Sequence, residues 1–122
     1  MNTKVLGNRG EAAAADYLAA KGYEIRERQY RSPMGEIDLI ASRDGALIFA
    51  EVKTRRSTRY GAPASAVDLR KQRRIINAAT WYVEQKGYID MPCRFDVIEV
   101  YAMPDGEYEI THYENAFDTD IG

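Results

Sequence analysis

The dipeptide Asp44-Gly45 lies between two strand-like segments and constrains the fold more than any other local feature of this chain. Both central positions of a type I′ turn require a positive φ angle, and Asp-Gly is a preferred pair at those positions. The flanking segments, GEIDLIA and LIFAEVKTR, are rich in apolar residues and carry carboxylates in their middles, and we interpret them as two strands. The sequence therefore predicts a β-hairpin with a two-residue loop, in which Arg43 pairs with Ala46.

This register places two acidic residues opposite each other. Asp38, in GEIDLIA, lies opposite Glu51, in LIFAEVKTR, and Glu36 lies opposite Lys53. Because side chains alternate between the faces of a strand, we expect all four groups to project from one side of the hairpin. A three-residue loop would instead place Asp38 opposite Ala50, on the wrong face. Directly opposed carboxylates repel each other and destabilise a sheet, and a bound cation would relieve that repulsion.

These charges have two interpretations. Acidic residues in strands are most often solvated side chains on the exposed face of a hairpin. Here, however, Phe49 shares the face of Glu51 and Lys53, and aliphatic side chains fill the other face, as in a sheet covered on both sides. Charges on a covered face need a partner. We therefore favour a metal site in which Asp38, Glu51 and the Val52 carbonyl bind Mg²⁺ or Mn²⁺, since hard cations take oxygen ligands.

The composition indicates a single globular domain that spans residues 1–122. The chain is 45% hydrophobic and 30% charged, and no apolar run approaches the roughly 18 residues of a membrane span. The first residues lack the apolar segment of a signal peptide, and the single cysteine, Cys93, favours a reducing compartment. We expect a cytoplasmic protein without a membrane partner, and a loose tail at residues 117–122.

A basic segment is concealed by the net charge of −2. Residues 53–74 hold eight basic side chains and one acid, a balance of +7, whereas the rest of the chain holds nine basic and 18 acidic side chains, a balance of −9. A positive surface beside a metal site suits a polyanionic backbone, although a solvated loop and helix face is the alternative. The predicted nucleic-acid interface consists of Arg55, Arg56, Arg59, Tyr60, Arg70, Lys71, Arg73 and Arg74.

Hydrophobic periodicity and turn residues predict the element order αβββαββ. The first helix carries Glu11 on its apolar face, so this carboxylate points toward the sheet. Gly22 and Gly87 are expected to end the two helices. The only histidine, His112, is more typical of a packed or surface residue than of a catalyst. The predicted elements are a helix ending near Lys21, a strand at 23–30, a turn at 31–35, a hairpin at 36–53, a loop at 54–63, a helix at 68–86, and strands at 94–101 and 107–113.

Together these motifs resemble the PD-(D/E)XK nuclease superfamily, whose αβββαβ core carries an acid on the second strand and ExK on the third. More closely, the chain resembles the YraN-like family of bacterial proteins over about residues 7–117. The matching stretches are GNRGEAAAADYL, GEIDLIA, FAEVKTR, YGAP, the lysine of DLRKQ, RFDVIEV and ENAF. The resemblance implies a restriction-endonuclease-like α/β fold, with a mixed central sheet flanked by helices, that is related to Holliday-junction resolvases.

The resemblance also assigns roles to individual residues. Asp38 and Glu51 match the metal-binding acids, Lys53 the catalytic lysine, and Glu11 the acid of the first helix, a further candidate ligand. Glu36 is a family feature with a supporting role. In one departure from the commonest superfamily form, an isoleucine stands where a proline precedes the first acid.

The resemblance implies a metal-dependent nuclease-type fold but no known substrate. Together with the acidic and basic residues, it leads us to expect a metal-dependent endonuclease that hydrolyses phosphodiester bonds in DNA, favoured over RNA as the partner, including branched or processed DNA. Resolvases act as dimers because a four-way junction has two-fold symmetry. A homodimer is therefore a further expectation, with Tyr101, Tyr108 and Tyr113 as candidates for its surface. The alternatives are a non-catalytic nucleic-acid-binding or accessory protein that retains the fold, and a metal-binding structural protein without a nucleic-acid partner.

Overall fold

Two helices cover opposite faces of a five-stranded mixed sheet. The computed structural model describes residues 3–56 and 67–118. Its elements are α1 (Thr3–Ala20), β1 (Glu24–Ser32), β2 (Gly35–Arg43), β3 (Ala46–Arg56), α2 (Leu69–Lys86), β4 (Cys93–Ala102) and β5 (Tyr108–Phe117). The sheet order is β1-β2-β3-β4-β5; β3 and β4 are parallel, and the other neighbours are antiparallel. The predicted element order and the restriction-endonuclease-like α/β fold are confirmed.

Several strands are longer than predicted. The polar run at 54–56 was expected to be a loop, but it continues β3 because β4 pairs with that strand up to Arg56. Likewise, β1 continues to Ser32, two residues beyond the predicted end. β5 continues to Phe117, whose buried ring stacks on Phe95. The rest of the predicted loop, including Arg59 and Tyr60, and most of the predicted tail lie outside the described residues.

The second helix begins and ends as its sequence predicts. Asp68 is the N-cap, and its carboxylate accepts a hydrogen bond of 2.8 Å from the backbone N–H of Lys71. Gly87 ends the helix in the left-handed conformation, at φ 73°. This cap holds the basic first turn of α2 over the sheet. No helix within the described ranges is long and apolar enough to cross a membrane.

Two apolar layers separate the helices from the sheet. The layer under α1 contains Ala14, Ala15, Leu18, Leu39, Ala41, Ile48, Ala50, Ile98 and Val100. The layer under α2 contains Ile37, Ile40, Leu47, Phe49, Ile75, Ala78, Ala79, Tyr82, Phe95 and Val97. Both sheet faces are therefore covered, which is the environment that the apolar side chains on both faces of the hairpin predict.

The α1 helix approaches β3 closely at Gly10. A Cβ atom at this position would lie only 1.9 Å from Oγ1 of Thr54 and 2.7 Å from its Cγ2. Only glycine fits there without displacing a side chain or the helix. This approach places the next residue, Glu11, against the sheet, as its position on the apolar face of the helix predicts.

A buried carboxylate, Asp96, joins β4 to β5. It is fully buried and accepts two hydrogen bonds from Arg94, at 2.8 and 2.7 Å, and one from the backbone N–H of Asn115 at 2.9 Å. Nε2 of His112 lies 2.7 Å from the same carboxylate, and Nδ1 lies 3.2 Å from the Tyr17 hydroxyl on α1. Burial raises the pKa of Asp96, but these hydrogen bonds outweigh burial and hold the pKa below its usual range. His112 is thus a packed residue, only 4% exposed.

Candidate metal centre and basic cleft

The β2–β3 hairpin has the predicted register. Arg43 pairs with Ala46, and the ladder continues in step to Leu39 and Ala50. Asp44 and Gly45 form the two-residue loop with φ angles of 51° and 81°, as a type I′ turn requires. The ladder ends one pair short of Asp38 and Glu51, so these two acids lie where the strands separate.

The regular alternation that we assumed for β2 is wrong at Asp38. Ile37 packs in the layer under α2, whereas Leu39, two residues later, packs in the layer under α1. On β1, Tyr30 pairs with Ile37 and Arg28 pairs with Leu39. Gln29 lies between these two β1 residues and has a positive φ of 49°. The backbone irregularity allows Asp38 to meet side chains that a regular strand would keep apart.

Asp38 interacts with two other carboxylates, those of Glu51 and Glu11. Its Oδ2 accepts a hydrogen bond of 2.8 Å from the backbone N–H of Val52, and it shares a hydrogen bond with Glu11 of α1. Burial, followed by the charges of Glu51 and Glu11, raises the pKa of Asp38 to about 8, despite the opposing effect of the Val52 hydrogen bond. Asp38 therefore carries a proton at neutral pH when no cation is bound.

Glu51 has a different partner. Its side chain is buried, and Nζ of Lys71, from the first turn of α2, lies 2.5 Å from its Oε1. Burial lowers the pKa of Lys71, but the hydrogen bond and the charge of Glu51 outweigh burial and raise it. Lys71 was predicted only as a nucleic-acid contact, and in the structure it is the counter-ion of Glu51. The signal was its position on the inner side of α2, one turn before the buried Ile75.

Glu11 is oriented by a residue that sequence reasoning missed. The side-chain amide of Gln29 donates a hydrogen bond of 2.7 Å to Oε2 of Glu11, and it lies 3.4 Å from Oδ1 of Asn8. Gln29 reaches α1 because of its left-handed backbone conformation. No local pattern in the β1 sequence predicts that conformation.

The predicted partnership of Glu36 and Lys53 lies beyond the paired part of the hairpin. Glu36 instead forms an ion pair of 3.4 Å with Arg31, and both side chains are largely exposed. Lys53 follows Glu51 by two residues, and its neighbour in the parallel register is Glu99 of β4. Glu36 is thus a peripheral acid, whereas Lys53 lies on the strand that carries the centre.

Glu99 is a second residue that sequence reasoning missed. It is fully buried; its Oε2 accepts a hydrogen bond from the Tyr101 hydroxyl, and within the described residues its Oε1 has no hydrogen-bond partner. An acid at an apolar position of RFDVIEVY was the available signal, because buried carboxylates are rare without a partner. Glu99 places an additional carboxylate in the strand next to Lys53.

A basic cleft of about 890 Å³ opens between the β1–β2 turn and the start of α2. Four cationic residues, Arg31, Arg70, Lys71 and Arg74, line it together with Glu36 and Asp68. On the other side of the β1–β2 turn, Asp38 and Glu11 line a smaller hollow of about 260 Å³. Of the predicted nucleic-acid contacts, three line the large cleft, Arg73 is exposed elsewhere on α2, and Arg55 and Arg56 lie at the end of β3.

The donor set fits a hard divalent cation. Within residues 3–56 and 67–118, no three His, Cys, Asp or Glu side chains are placed to hold a metal ion as they stand. Mg²⁺ does not require three, because it keeps several waters and is commonly bound through one or two carboxylates. Asp38 and Glu51 supply these, the Val52 carbonyl is adjacent, and the Lys71 ammonium already lies as a cation against Glu51.

Comparison with known proteins identifies the family. The model of a family described as "Uncharacterised protein family UPF0102" matches residues 10–100. This chain belongs to the UPF0102 family. The match confirms the resemblance to the YraN-like group, which is related to the PD-(D/E)XK proteins. It spans every element from Gly10 of α1 to Val100 of β4 and thus includes the acids and lysines described above.

Bacterial UPF0102 proteins match this chain over most of their length. A UPF0102 protein of Symbiobacterium thermophilum is 50% identical over 112 residues, which cover 92% of this chain and 95% of the relative. A UPF0102 protein of Clostridioides difficile is 43% identical over 117 residues, covering 96% and 100%. One from Syntrophotalea carbinolica is 45% identical over 115 residues, covering 94% and 93%.

Proposed function

We propose that this UPF0102 protein is a Mg²⁺- or Mn²⁺-dependent endonuclease that hydrolyses phosphodiester bonds in DNA. The observation that supports this most is the meeting of Glu11, Asp38 and Glu51, from three separate elements, at the point where β2 and β3 separate. Glu51 is buried and Asp38 is partly buried, and carboxylates grouped in this way oppose folding unless they are protonated or bound to a cation. Apolar packing does not explain such a group, whereas metal-dependent phosphodiester hydrolysis uses carboxylates to hold its cation.

Each residue of the centre then has a role. Asp38, Glu51 and the Val52 carbonyl would hold the cation, which would polarise the scissile phosphate and lower the pKa of water. Lys53, two residues beyond Glu51, stabilises the negative charge that develops on the phosphate. Glu11, held in place by Gln29, positions water on the α1 side.

The basic cleft supplies the DNA-binding surface. Arg31, Arg70 and Arg74 line it at one side of the centre, and Lys71 connects it to Glu51. Contacts from arginine and lysine to phosphates give affinity without sequence preference, and this affinity falls steeply with salt. The cleft therefore favours a substrate that is recognised through its backbone.

The alternative is a non-catalytic protein that binds nucleic acid with the same fold. The ion pair between Lys71 and Glu51 favours this alternative, because it neutralises a metal ligand without any metal. Under this alternative, DNA binding is independent of divalent metal and survives substitution of Asp38.

The direct test is cleavage of branched, single-stranded and duplex DNA by the purified protein with Mn²⁺. We expect cleavage by the wild type and its loss in Asp38→Ala, while Asp90→Ala, which changes an exposed acid at a distant turn, keeps wild-type activity. Cleavage that persists in Asp38→Ala would contradict the nuclease proposal. Salt-sensitive binding without cleavage on all three substrates would favour the alternative.

A further inference from the structure

We propose that Lys71 occupies the cation position of this centre until DNA arrives, so that divalent metal and phosphate bind cooperatively. The inference deepens the proposed nuclease function and rests on it. The Lys71 ammonium and Oε1 of Glu51 are in contact, 2.5 Å apart.

Lys71 and a metal ion compete for the same carboxylate, that of Glu51. Glu51 is 6% exposed, so few other groups can approach its oxygens. A divalent cation bound to Glu51 would lie within a few ångströms of the ammonium if Lys71 stayed in place. Two positive charges at that distance repel each other strongly in a partly buried site. Metal binding therefore requires that Lys71 leave Glu51.

The Lys71 side chain has a second position available to it, in the basic cleft. Its side chain is 51% exposed and lines the basic cleft beside Arg70 and Arg74. A lysine carries a compact charge on a flexible stem, so the ammonium can turn while the helix stays fixed. The Asp68 cap holds the backbone of Lys71 in either position, because the contact is made by its main-chain N–H.

Movement of Lys71 couples phosphate binding in the cleft to metal binding at Glu51. A phosphate in the cleft attracts the Lys71 ammonium away from Glu51 and leaves that carboxylate open to the metal. By linkage, a metal on Glu51 releases Lys71 toward the cleft and strengthens phosphate binding by the same factor. Lys71 is therefore a positioning residue whose movement makes the centre bind metal tightly only when DNA is present.

The test is calorimetric titration of Mn²⁺ into the full chain, with and without a short phosphorothioate duplex that resists hydrolysis. Lys71→Gln removes the competing charge, so we expect it to bind Mn²⁺ about 5- to 100-fold more tightly than the wild type without DNA. The duplex should tighten Mn²⁺ binding by the wild type and should have little effect on Lys71→Gln. Lys71→Met, which keeps most of the stem, should behave as Lys71→Gln does.

The matched control is Arg74→Gln. Arg74 is a cation of the same cleft, whereas the cation paired with Glu51 is Lys71. It should weaken binding of the duplex and leave the affinity for Mn²⁺ without DNA unchanged. Equal or weaker Mn²⁺ binding by folded Lys71→Gln and Lys71→Met would overturn the role of Lys71 and leave the metal centre standing. Failure of the wild type and both variants to bind millimolar Mn²⁺ would overturn the centre and this inference together.

Discussion

At the scale of single residues, the protonation of Asp38 decides the state of the metal-free centre. An aspartate in an unfolded chain releases its proton near pH ~3.9, whereas folded Asp38 keeps its proton to about pH 8, chiefly because it is buried. Between these values the folded state binds more protons than the unfolded state. The stability of the metal-free protein therefore falls as pH rises through this window.

Asp38→Asn should remove this dependence, because the amide stays neutral and its oxygen can still accept the Val52 N–H. With EDTA present, we expect the wild type to lose stability relative to the variant as the pH rises from 5 to 8. At pH 8 the variant should be more stable by about 1 kcal/mol or more, or roughly 3–6 °C in a domain of this size. The control is Asp90→Asn, at an exposed position. A constant difference between the curves from pH 5 to 9 would show that Asp38 ionises normally.

At the scale of elements, the placement of α1 on the sheet depends on one close contact. Gly10 allows the helix backbone to approach Thr54 on β3, and Glu11 reaches Asp38 only because the helix lies this close. Glycine inside a helix is otherwise unfavourable by roughly 0.5–1 kcal/mol relative to alanine. Glycine at position 10 therefore lowers the local stability of the helix but allows Glu11 to reach Asp38.

Gly10→Ala should destabilise the protein by about 1–3 kcal/mol through overpacking against Thr54. Gly7 of the same helix is the matched control, since a Cβ there would meet no atom within 4 Å. Gly7→Ala should leave stability unchanged or raise it by up to ~1 kcal/mol. Urea unfolding of both variants, and of Gly10→Ala combined with Thr54→Ala, measures this. We expect partial recovery in the double variant, and equal effects of Gly7→Ala and Gly10→Ala would contradict the close packing.

At the scale of the whole molecule, two buried polar groups have opposite effects on stability. The Asp96 carboxylate is fully paired with Arg94, His112 and the Asn115 N–H, and it joins β4, β5 and, through His112, α1. At the candidate metal centre, burial and the charges of Glu51 and Glu11 raise the pKa of Asp38, so ionisation of Asp38 opposes folding. The first group stabilises the fold and the second opposes it, as is common at functional sites.

Asp96→Asn should lower the free energy of unfolding by about 3 kcal/mol. Arg94 and His112 would then lose the negative charge with which they now pair. Glu114→Gln is the control, since Glu114 lies 3.6 Å from the same Arg94 but is 53% exposed. Its expected effect is below ~1 kcal/mol, as for most exposed ion pairs. Urea midpoints at pH 7 compare the two, and similar losses would mean that burial does not set the strength of this network.

Mn²⁺ should raise the melting temperature of the wild type, because a ligand that binds only the folded state stabilises it. At ~100 times the dissociation constant the gain is about 2.7 kcal/mol, or roughly 10 °C for a domain of this size. Glu51→Gln should lose the response, while Glu109→Gln, at an exposed position of β5, should keep it. The measurement is the change in melting temperature when Mn²⁺ is added to each protein. Melting temperatures without metal are not compared, because Glu51→Gln also loses its ion pair with Lys71. An equal shift in wild type and Glu51→Gln would place the metal elsewhere.

Local patterns in the amino-acid sequence predicted the elements and the hairpin register. Periodicity of apolar residues is a local property, so it predicted both helices and all five strands, and Asp44-Gly45 alone set the pairing of β2 with β3. The same register brought Asp38 and Glu51 to the same level of the hairpin. The apolar face of the first helix predicted that Glu11 points toward the sheet, because helical spacing is also local.

Tertiary structure alone decided how these groups meet. The left-handed Gln29 and the broken alternation at Asp38 arise where β1 and β2 pair, and the residue types of neither strand require this irregularity. The ion pair between Lys71 and Glu51 joins residues 20 positions apart on different elements. The pairing of Asp96 with His112 spans the β4–β5 connection. Local patterns specify conformation, whereas the partner of a buried charge depends on which elements pack together, and that is a property of the whole chain.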